Sequence, residues 1–461
     1  MRVGTRTTNA GQPPVTNSGR PLWSAQPTRE RLVAAIVGIG VASVIALWLT
    51  DTAAGSLHTL GDELTAAGRI TGLVGTYFLL VAVVLAARIR WLDNAIGMDR
   101  LTVWHGRIGQ FVVSLLSVHA VATIAGYALT DRISIPAEIT AVVLHYPDML
   151  SATVALALLI GVGVMSARVV RPLVAYHTWY FVHLYVYLAT VLAFAHQLAT
   201  GNEFVTRAWS RAFWIALHLS VLALLVAYRV VAPVRAAIRH NLRVSEVVNE
   251  GPGVTSVHFT GDHLDELRAD AGQFFVWRFL TRSGWWRANP YSLSAAPDGR
   301  SLRITVKEVG DSSGFLARLR PGTRAVAEGP YGNVTARRRR HRKVVLIAGG
   351  IGVAPLRAMF EAMPGRPGEI AFLYRASDAS DFVLREELDR LASIRGDRVT
   401  YIAGPREHDP FRRELLIARL PDIARRDAFV FGGTGFVDHA VVALRAAGVP
   451  SRHIHAERFE F

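Results

Sequence analysis

Four histidines raise the first chemical question. His105 and His119 stand fourteen residues apart inside one apolar run, and His183 and His196 thirteen apart inside another. At 1.5 Å per residue, either separation covers about 20 Å of helix. Two helices thus mark the same two depths, pairing His105 with His183 and His119 with His196. Imidazole inside hydrocarbon is costly and needs a reason. Facing neutral imidazoles suit the axial positions of two six-coordinate haems held edge-on between helices. The competing reading is a set of hydrogen-bonded structural or proton-relay histidines. Helical geometry sets a condition on the first reading. Fourteen residues return to within about 40° of the same face, whereas thirteen land about 140° away. The second helix must then tilt, bulge or present its rings from opposite flanks. His177 near one boundary, and His58 and His145 in outward loops, lack partners at matching depth and read as surface or boundary residues.

A second group of residues lies beyond the apolar runs. Asn289-Pro290-Tyr291-Ser292-Leu293 is followed by Thr305-Val306-Lys307 and then Gly310-Asp311-Ser312-Ser313-Gly314. An aromatic-Ser pair on a strand offers a flat apolar face beside a hydroxyl. A Gly/Ser turn opening a helix offers backbone donors to a pyrophosphate, although alone it is also an ordinary turn. The third group begins where a Val-Val-Leu-Ile strand runs into Gly349-Gly350-Ile351-Gly352-Val353-Ala354-Pro355. Glycines there admit a phosphate to a helix N-terminus, and Pro355 suits a first turn. The spacing departs from G-x-G-x-x-G. Arg375 and Ser377 follow the next strand, where a guanidinium meets a 2′-phosphate or simply the surface. Gly432-Gly433-Thr434-Gly435 follows a later strand, and the chain ends in Phe461. A terminal aromatic needs a partner, either a planar ring or the core beneath a terminal strand.

The elements that must position these groups fall into two unlike halves. Of the 461 residues, 51% are hydrophobic and only 19% charged, too apolar for an ordinary soluble enzyme. The absence of cysteine excludes disulfides, thiol nucleophiles and thiolate-bound metal centres. Residues 1–30 read as a disordered basic tail without the apolar core of a cleavable signal. Residues 31–235 carry six apolar runs, Leu32–Thr50, Ala66–Ala87, Trp104–Leu129, Met149–Val170, Leu173–Leu198 and Arg211–Val231. Each approaches the ~20 residues that cross a bilayer. Arg29, Arg31, Arg88, Arg90, Arg100, Arg168, Arg171 and Arg229 flank one set of ends, which places both termini in the cytoplasm of a multi-pass plasma-membrane protein. The net charge of +15 is accounted for by such flanks, and no nucleic-acid partner is expected. Residues 236–336 show short strands, one helical stretch at Gly314–Leu319 and the pattern of an antiparallel β-barrel. Residues 337–461 alternate strand and helix, the pattern of a doubly wound α/β domain. The Arg337–Arg340 run between them reads as a solvated linker or a contact for phosphate or lipid headgroups.

In the order of its parts the chain resembles the NADPH oxidase/ferric reductase superfamily. That family joins a six-helix transmembrane haem domain to a ferredoxin-reductase-like module for FAD and nicotinamide. The resemblance covers nearly all of the chain after the first thirty residues. It rests on the 14 and 13 histidine spacings, Asn-Pro-Tyr-Ser-Leu, Gly-Gly-Ile-Gly-Val-Ala-Pro, Gly-Gly-Thr-Gly and the final Phe. It implies that Tyr291 and Ser292 face the isoalloxazine, with Asn289, Pro290, Leu293 and Thr305 in the same flavin site. Lys307, Gly310, Ser312 and Ser313 would approach the flavin phosphates. Gly349, Gly350, Gly352, Gly432 and Gly433 would line the nicotinamide cradle, Arg375 favouring NADPH over NADH. Phe461 would cover the flavin ring, and Arg69 would be the outer-face arginine near the distal haem. Asn289 stands where relatives often carry Arg or His, and Gly432-Gly433 replaces a Cys-Gly-Pro. The sequence has no EF-hand loop, so calcium control by that device is not expected. The implied activity is electron transfer from NAD(P)H through FAD and two b-type haems to O2 or a ferric chelate, with no obligate protein partner. Delivery to a periplasmic or extracellular protein, or a membrane scaffold with a degenerate reductase domain, are the alternatives.

Overall fold

The computed structural model describes residues 27–52, 57–174, 176–282, 284–308, 314–405 and 411–459. It divides into two compact units, residues 27–231 and residues 232 onward.

The first unit is helical: α1 (Pro27–Asp51), α2 (Leu60–Ala86), α3 (Arg90–Ile96), α4 (Met98–Asp131), α5 (Ile135–His145), α6 (Met149–Ser166), α7 (Tyr176–Thr200), α8 (Asn202–Val205) and α9 (Ala208–Val226). Among the described residues, six helices are long and apolar enough to cross a membrane, so the chain is a multi-pass membrane protein. Each expected run falls on one of them, but Ala87 lies beyond α2, residues 167–170 lie beyond α6, and Leu173 and Val174 precede α7. The first span opens at Pro27, so residues 27–30 belong to a helix rather than to the tail, and Glu30 pairs with Arg100 of α4. α5 was not expected. Ile135-Pro136 starts it, Pro fitting the first turn, and it carries His145, which was read as a loop residue. Thr59 caps α2 and Asp62 closes the capping box.

The second unit begins with α10 (Ala232–His240) and continues through β1 (Arg243–Gly251), β2 (Val254–Thr260), β3 (Phe274–Phe279), β4 (Asn289–Ser292), β5 (Ser301–Lys307) and β6 (Ala325–Tyr331). These form two three-stranded antiparallel sheets, ordered β1-β2-β5 and β4-β3-β6. Single bridges, Arg243–Arg324 and Leu293–Ile304, join them, so the expected barrel is two sheets around one core rather than a closed ladder. Trp277, Phe259, Phe275, Phe279 and Ile304 fill that core. The expected helical stretch at 314–319 is a single 3-10 turn, Leu316–Arg318.

Next come β7 (Val344–Gly349), α11 (Val353–Ala362), β8 (Ile370–Ala376), α12 (Arg385–Arg395), β9 (Arg398–Ala403), α13 (Arg413–Arg419), β10 (Asp427–Gly433), α14 (Thr434–Ala446) and β11 (Ile454–Phe459). The parallel sheet has the order β11-β10-β7-β8-β9. Strand alternation splits its core by face. Val344, Leu346 and Phe372 pack with α11 and α12, while Val345, Ile347 and Leu373 pack with α13 and α14. The chain therefore winds outward from β7 in both directions, and the direction reverses between neighbouring β7 and β10. The arginine run is not a free solvated linker. Arg338 donates to Asn333 O, Arg339 to three main-chain carbonyls, and Arg337 pairs with Asp270.

Candidate functional site: two histidine pairs and a glycine-lined cleft

The α4 histidines are oriented by α2. His105 Nδ1 donates to Ala82 O at 2.9 Å, and His119 Nδ1 to Gly68 O at 2.8 Å. A carbonyl only accepts, so each ring carries its proton on Nδ1 and leaves Nε2 as a bare donor atom. Helices α2 and α4 approach closely enough that a Cβ on Gly72 would stand 2.6 Å from His119 Nδ1. Glycine there is a packing requirement of the histidine ring.

The α7 histidines are held from their own side. Thr200 donates its hydroxyl to His196 O at 3.0 Å and stands 2.9 Å from His196 Nδ1. The hydroxyl proton being spent, Nδ1 is the donor and Nε2 is again bare. Ser166 Oγ accepts from Trp179 Nε1 at 3.1 Å and lies 3.4 Å from His183 Nδ1. Trp179 stacks on the His183 ring at 5.0 Å. The His105 and His183 rings face one another, centroids 5.8 Å apart and planes inclined by 63°. Two metal–imidazole bonds of roughly 2 Å plus the ring radii require a separation of about 6 Å. α7 runs as uninterrupted α-helix from 177 to 200, so no bulge corrects its thirteen-residue spacing. α4 packs mainly on α2 and α7 mainly on α6, so the two histidine helices are not each other's chief packing partners. The donor set, four imidazoles with Nδ1 engaged and Nε2 available, fits two bis-histidine haems.

Arg69 joins a buried ion cluster. Its Nε donates to Glu203 at 2.8 Å and its Nη2 to Asp51 and Glu203 at 2.5 Å each. Asn202 and Arg207 also bond to Asp51. Its neighbour Gly68 supplies the carbonyl that holds His119, so Arg69 lies at the depth of the His119–His196 pair. Two membrane residues were not singled out from sequence. His218 on α9 donates Nδ1 to Trp214 O, stacks against Phe194 at 4.4 Å, and keeps a buried Nε2 without a partner. Glu138 on α5 is 1% exposed with both oxygens unpartnered. His218 was legible as a further imidazole in an apolar run, but a search for pairs on two helices passes over it.

In the second unit, Asn289, Pro290, Tyr291 and Ser292 form β4, paired with β3 from Trp277↔Asn289 to Phe274↔Ser292. Trp277 Nε1 bonds Tyr291 O, Asn289 keeps a buried Nδ2 without a partner, and burial pushes the Tyr291 hydroxyl pKa up. Leu293 is wholly buried. Thr305 is buried in β5. Its hydroxyl bonds Ser256 and Ser294 inside the core. Lys307 ends β5, exposed, with Nζ 4.0 Å from Asp381. Gly310, Ser312, Ser313 and Phe461 lie outside the described residues.

The two glycine turns meet at the C-terminal edge of β7 and β10, where the winding reverses. Crevices at such reversals bind nucleotides. A Cβ on Gly352 would stand 2.1 Å from Phe431 O, so that glycine lets the turns close on each other. Gly349 and Gly432 pack against Phe436. Gly350 has φ +53 with open space over its Cα, so it is the position at which a phosphate can approach. Gly433 pairs with Phe459 across β10 and β11, which brings Phe459 to this cleft. Arg375 stands beside Gly349 in register, but its guanidinium lies on Ala376 O and Pro405 O rather than in the cleft.

A clamp invisible in the sequence joins the two lobes of this unit. Arg303 makes paired bonds to Glu387 at 2.7 and 2.9 Å, and Arg357 reaches Glu387 at 2.8 Å and Glu361 at 2.5 Å. Burial pushes the Glu387 carboxyl up, but Arg303 and Arg357 outweigh it and hold the group below its usual range.

Comparison with known proteins agrees with this division. Residues 71–194 match the family described as ferric reductase like transmembrane component, and residues 346–442 match the oxidoreductase NAD-binding domain. Ferredoxin--NADP reductase B of Sorangium cellulosum is 33% identical over 190 residues, 37% of this chain and 77% of its own. The ferredoxin reductase component of 3-ketosteroid-9-alpha-monooxygenase from Mycolicibacterium smegmatis is 31% identical over 48% of this chain and 65% of its own. A flavohemoprotein of Pseudomonas putida is 29% identical over 46% and 56%. The chain thus spans less than two thirds of these last two relatives. Among solved structures, the FAD/NAD-binding domain of a Vibrio cholerae nitric oxide dioxygenase is 24% identical with a TM-score of 0.39, covering 48% of this chain and 99% of its own. The fold and cleft define an FAD- and NAD(P)H-binding oxidoreductase module. The chain belongs to the ferredoxin–NADP reductase family, with that module fused to a ferric-reductase-like transmembrane domain.

Proposed function

We propose that this protein takes a hydride from NAD(P)H on the cytoplasmic side of the cell membrane and delivers the electrons singly to an acceptor on the other side, O2 or a ferric chelate. A flavin would supply the conversion of a two-electron donor into single electrons, and two b-type haems would supply one-electron carriage across the bilayer. The chain's own residues hold and orient these groups. His105 with His183, and His119 with His196, would hold the haems, and α2 carbonyls fix the α4 rings. Tyr291 and Ser292 border the isoalloxazine, Lys307 meets its phosphates, and Gly350 admits the nicotinamide pyrophosphate. Arg69, paired with Asp51 and Glu203 at the depth of the outer pair, fixes that end of the helices and brings no net positive charge there. NADPH is the preferred donor if Arg375 turns from Pro405 O to a 2′-phosphate. The basic flanks at Arg88, Arg90, Arg168 and Arg171 support the cytoplasmic placement.

The supporting observation is the facing His105–His183 pair with Nδ1 engaged on the α4 ring. Proteoliposomes with NADPH on the module side test the reading. Reduction of ferric citrate, or of cytochrome c in a superoxide-dismutase-sensitive way, is expected on the opposite side. Acceptor reduction confined to the NADPH side contradicts it.

A further inference from the structure

At the edge of the parallel sheet opposite the glycine turns, three imidazoles surround one carboxylate. Asp427 opens β10 and is wholly buried. Its Oδ2 accepts the backbone N–H groups of Arg340 and His341 at 2.6 and 2.5 Å, which aims Oδ1 at the rings. His453 Nδ1 is 2.9 Å from Oδ1, His341 Nδ1 3.6 Å and His455 Nε2 4.0 Å. The ligand atoms of His341, Asp427 and His453 all lie within 4.8 Å of one another. A tetrahedral site with bonds of about 2.05 Å needs donor separations of about 3.3 Å, so side-chain rotations bring His341, Asp427 and His453 into place, and His455, outside that group, must move further to become the fourth donor. One oxygen cannot satisfy three rings. His341 Nδ1 and His455 Nε2 are buried without hydrogen-bond partners, and the His455 side chain is 5% exposed.

We propose that His341, Asp427, His453 and His455 form a binding site for a divalent transition ion of the zinc class. Three nitrogens and one carboxylate oxygen suit a borderline ion in four-coordination and not magnesium or calcium, which require oxygen shells. His341 precedes β7 in the segment joining the flavin and nicotinamide lobes, while the other three donors belong to β10, β11 and the turn between them. The ion therefore staples the connecting segment to the far edge of the sheet. Burial pushes His455 down to about 4, so it is a neutral donor at physiological pH. Two features oppose binding. Arg452 Nε donates to His453 Nε2 at 3.0 Å, so the ring must change tautomer and the exposed arginine must swing away. Arg338 and Arg340 add positive charge near His455. Micromolar affinity is expected rather than the tighter binding of a thiolate site.

Full-length protein without a polyhistidine tag, stripped with a chelator and dialysed against zinc, provides the test. Metal analysis should give one zinc per chain. Zinc-edge X-ray absorption, which the iron does not obscure, should show four N/O donors at about 2.0–2.1 Å with imidazole scattering. Thermal unfolding of the soluble half should move up on adding zinc. His341→Ala and His455→Gln should each lose the bound zinc and the thermal shift while NADPH–ferricyanide turnover stays within about twofold. That turnover shows the variants fold. Zinc-free wild type, or equal zinc in wild type and both variants, overturns the proposal.

Discussion

The two units hold their chemistry by opposite means. In the membrane unit each reactive side chain is fixed by one or two short bonds to a helix backbone or a nearby hydroxyl, as His105 is by Ala82 O and His196 by Thr200. In the soluble unit the cleft is shaped by packing and charge between segments distant in sequence, such as Arg303 with Glu387 and Gly352 with Phe431. A helix in lipid already satisfies its own backbone, so a functional ring needs only an orienting partner. A two-lobed cleft must have its lobes tied together. Substitutions should therefore act locally in the first unit and across lobes in the second.

The largest expected effect is in the membrane. His183→Ala removes one of the imidazoles that would hold the inner haem, and acceptor reduction across the bilayer should fall at least about 100-fold while NADPH–ferricyanide turnover persists; loss of both activities together would make the first unit's effects global. Gly72→Ala drives a methyl into the His119 ring, costing about 1–3 kcal/mol and lowering the haem content of the outer pair, read from the haem-to-flavin ratio. In the soluble unit, Glu387→Ala leaves Arg303 without its partner. It should cost about 2–4 kcal/mol, read from thermal unfolding, and weaken nicotinamide binding although Glu387 touches no ligand. The same carboxyl sharpens the contrast through pH. Its folded pKa is depressed, so its stabilisation is present above the unfolded value near 4.5 and is lost as pH falls through the folded value. Acid should destabilise the soluble unit of the wild type more than that of Glu387→Gln. The smallest effect is expected at Arg375. Replacement by Ala should lower the NADPH/NADH ratio of kcat/KM several-fold, and an unchanged ratio would leave the guanidinium a purely structural bond to Pro405 O.

The same contrast governs what the sequence revealed. Long apolar runs and paired histidines are one-dimensional signals, so the six spans and four rings could be read directly. The α2 carbonyls holding those rings could not, because any backbone has carbonyls and only packing selects Ala82 and Gly68. α5 was hidden by its eleven residues, too few to span a bilayer. In the soluble unit the strands were legible from alternation except β11, which was not among those expected. Closure of the sheets was not, since it depends on which edges pair. Thr305 sat in a motif but points to Ser294, because side-chain parity within β5 decides its face. Arg375 stood at the expected place in register, yet the loop carrying Pro405 captured its guanidinium. The four-donor cluster around Asp427 joins residues up to 114 positions apart, and only the His453-Ile454-His455 alternation hinted at it.

The central claim is that four imidazoles bind two haems and connect them to the nicotinamide cleft. Anaerobic mixing of the purified protein with NADPH, followed by absorbance and calibrated by haem and flavin content, tests it most directly. The account predicts two low-spin bis-imidazole haems per flavin, both reduced. One haem per flavin, a high-spin spectrum, or a reduced flavin beside haem that stays oxidised would contradict it.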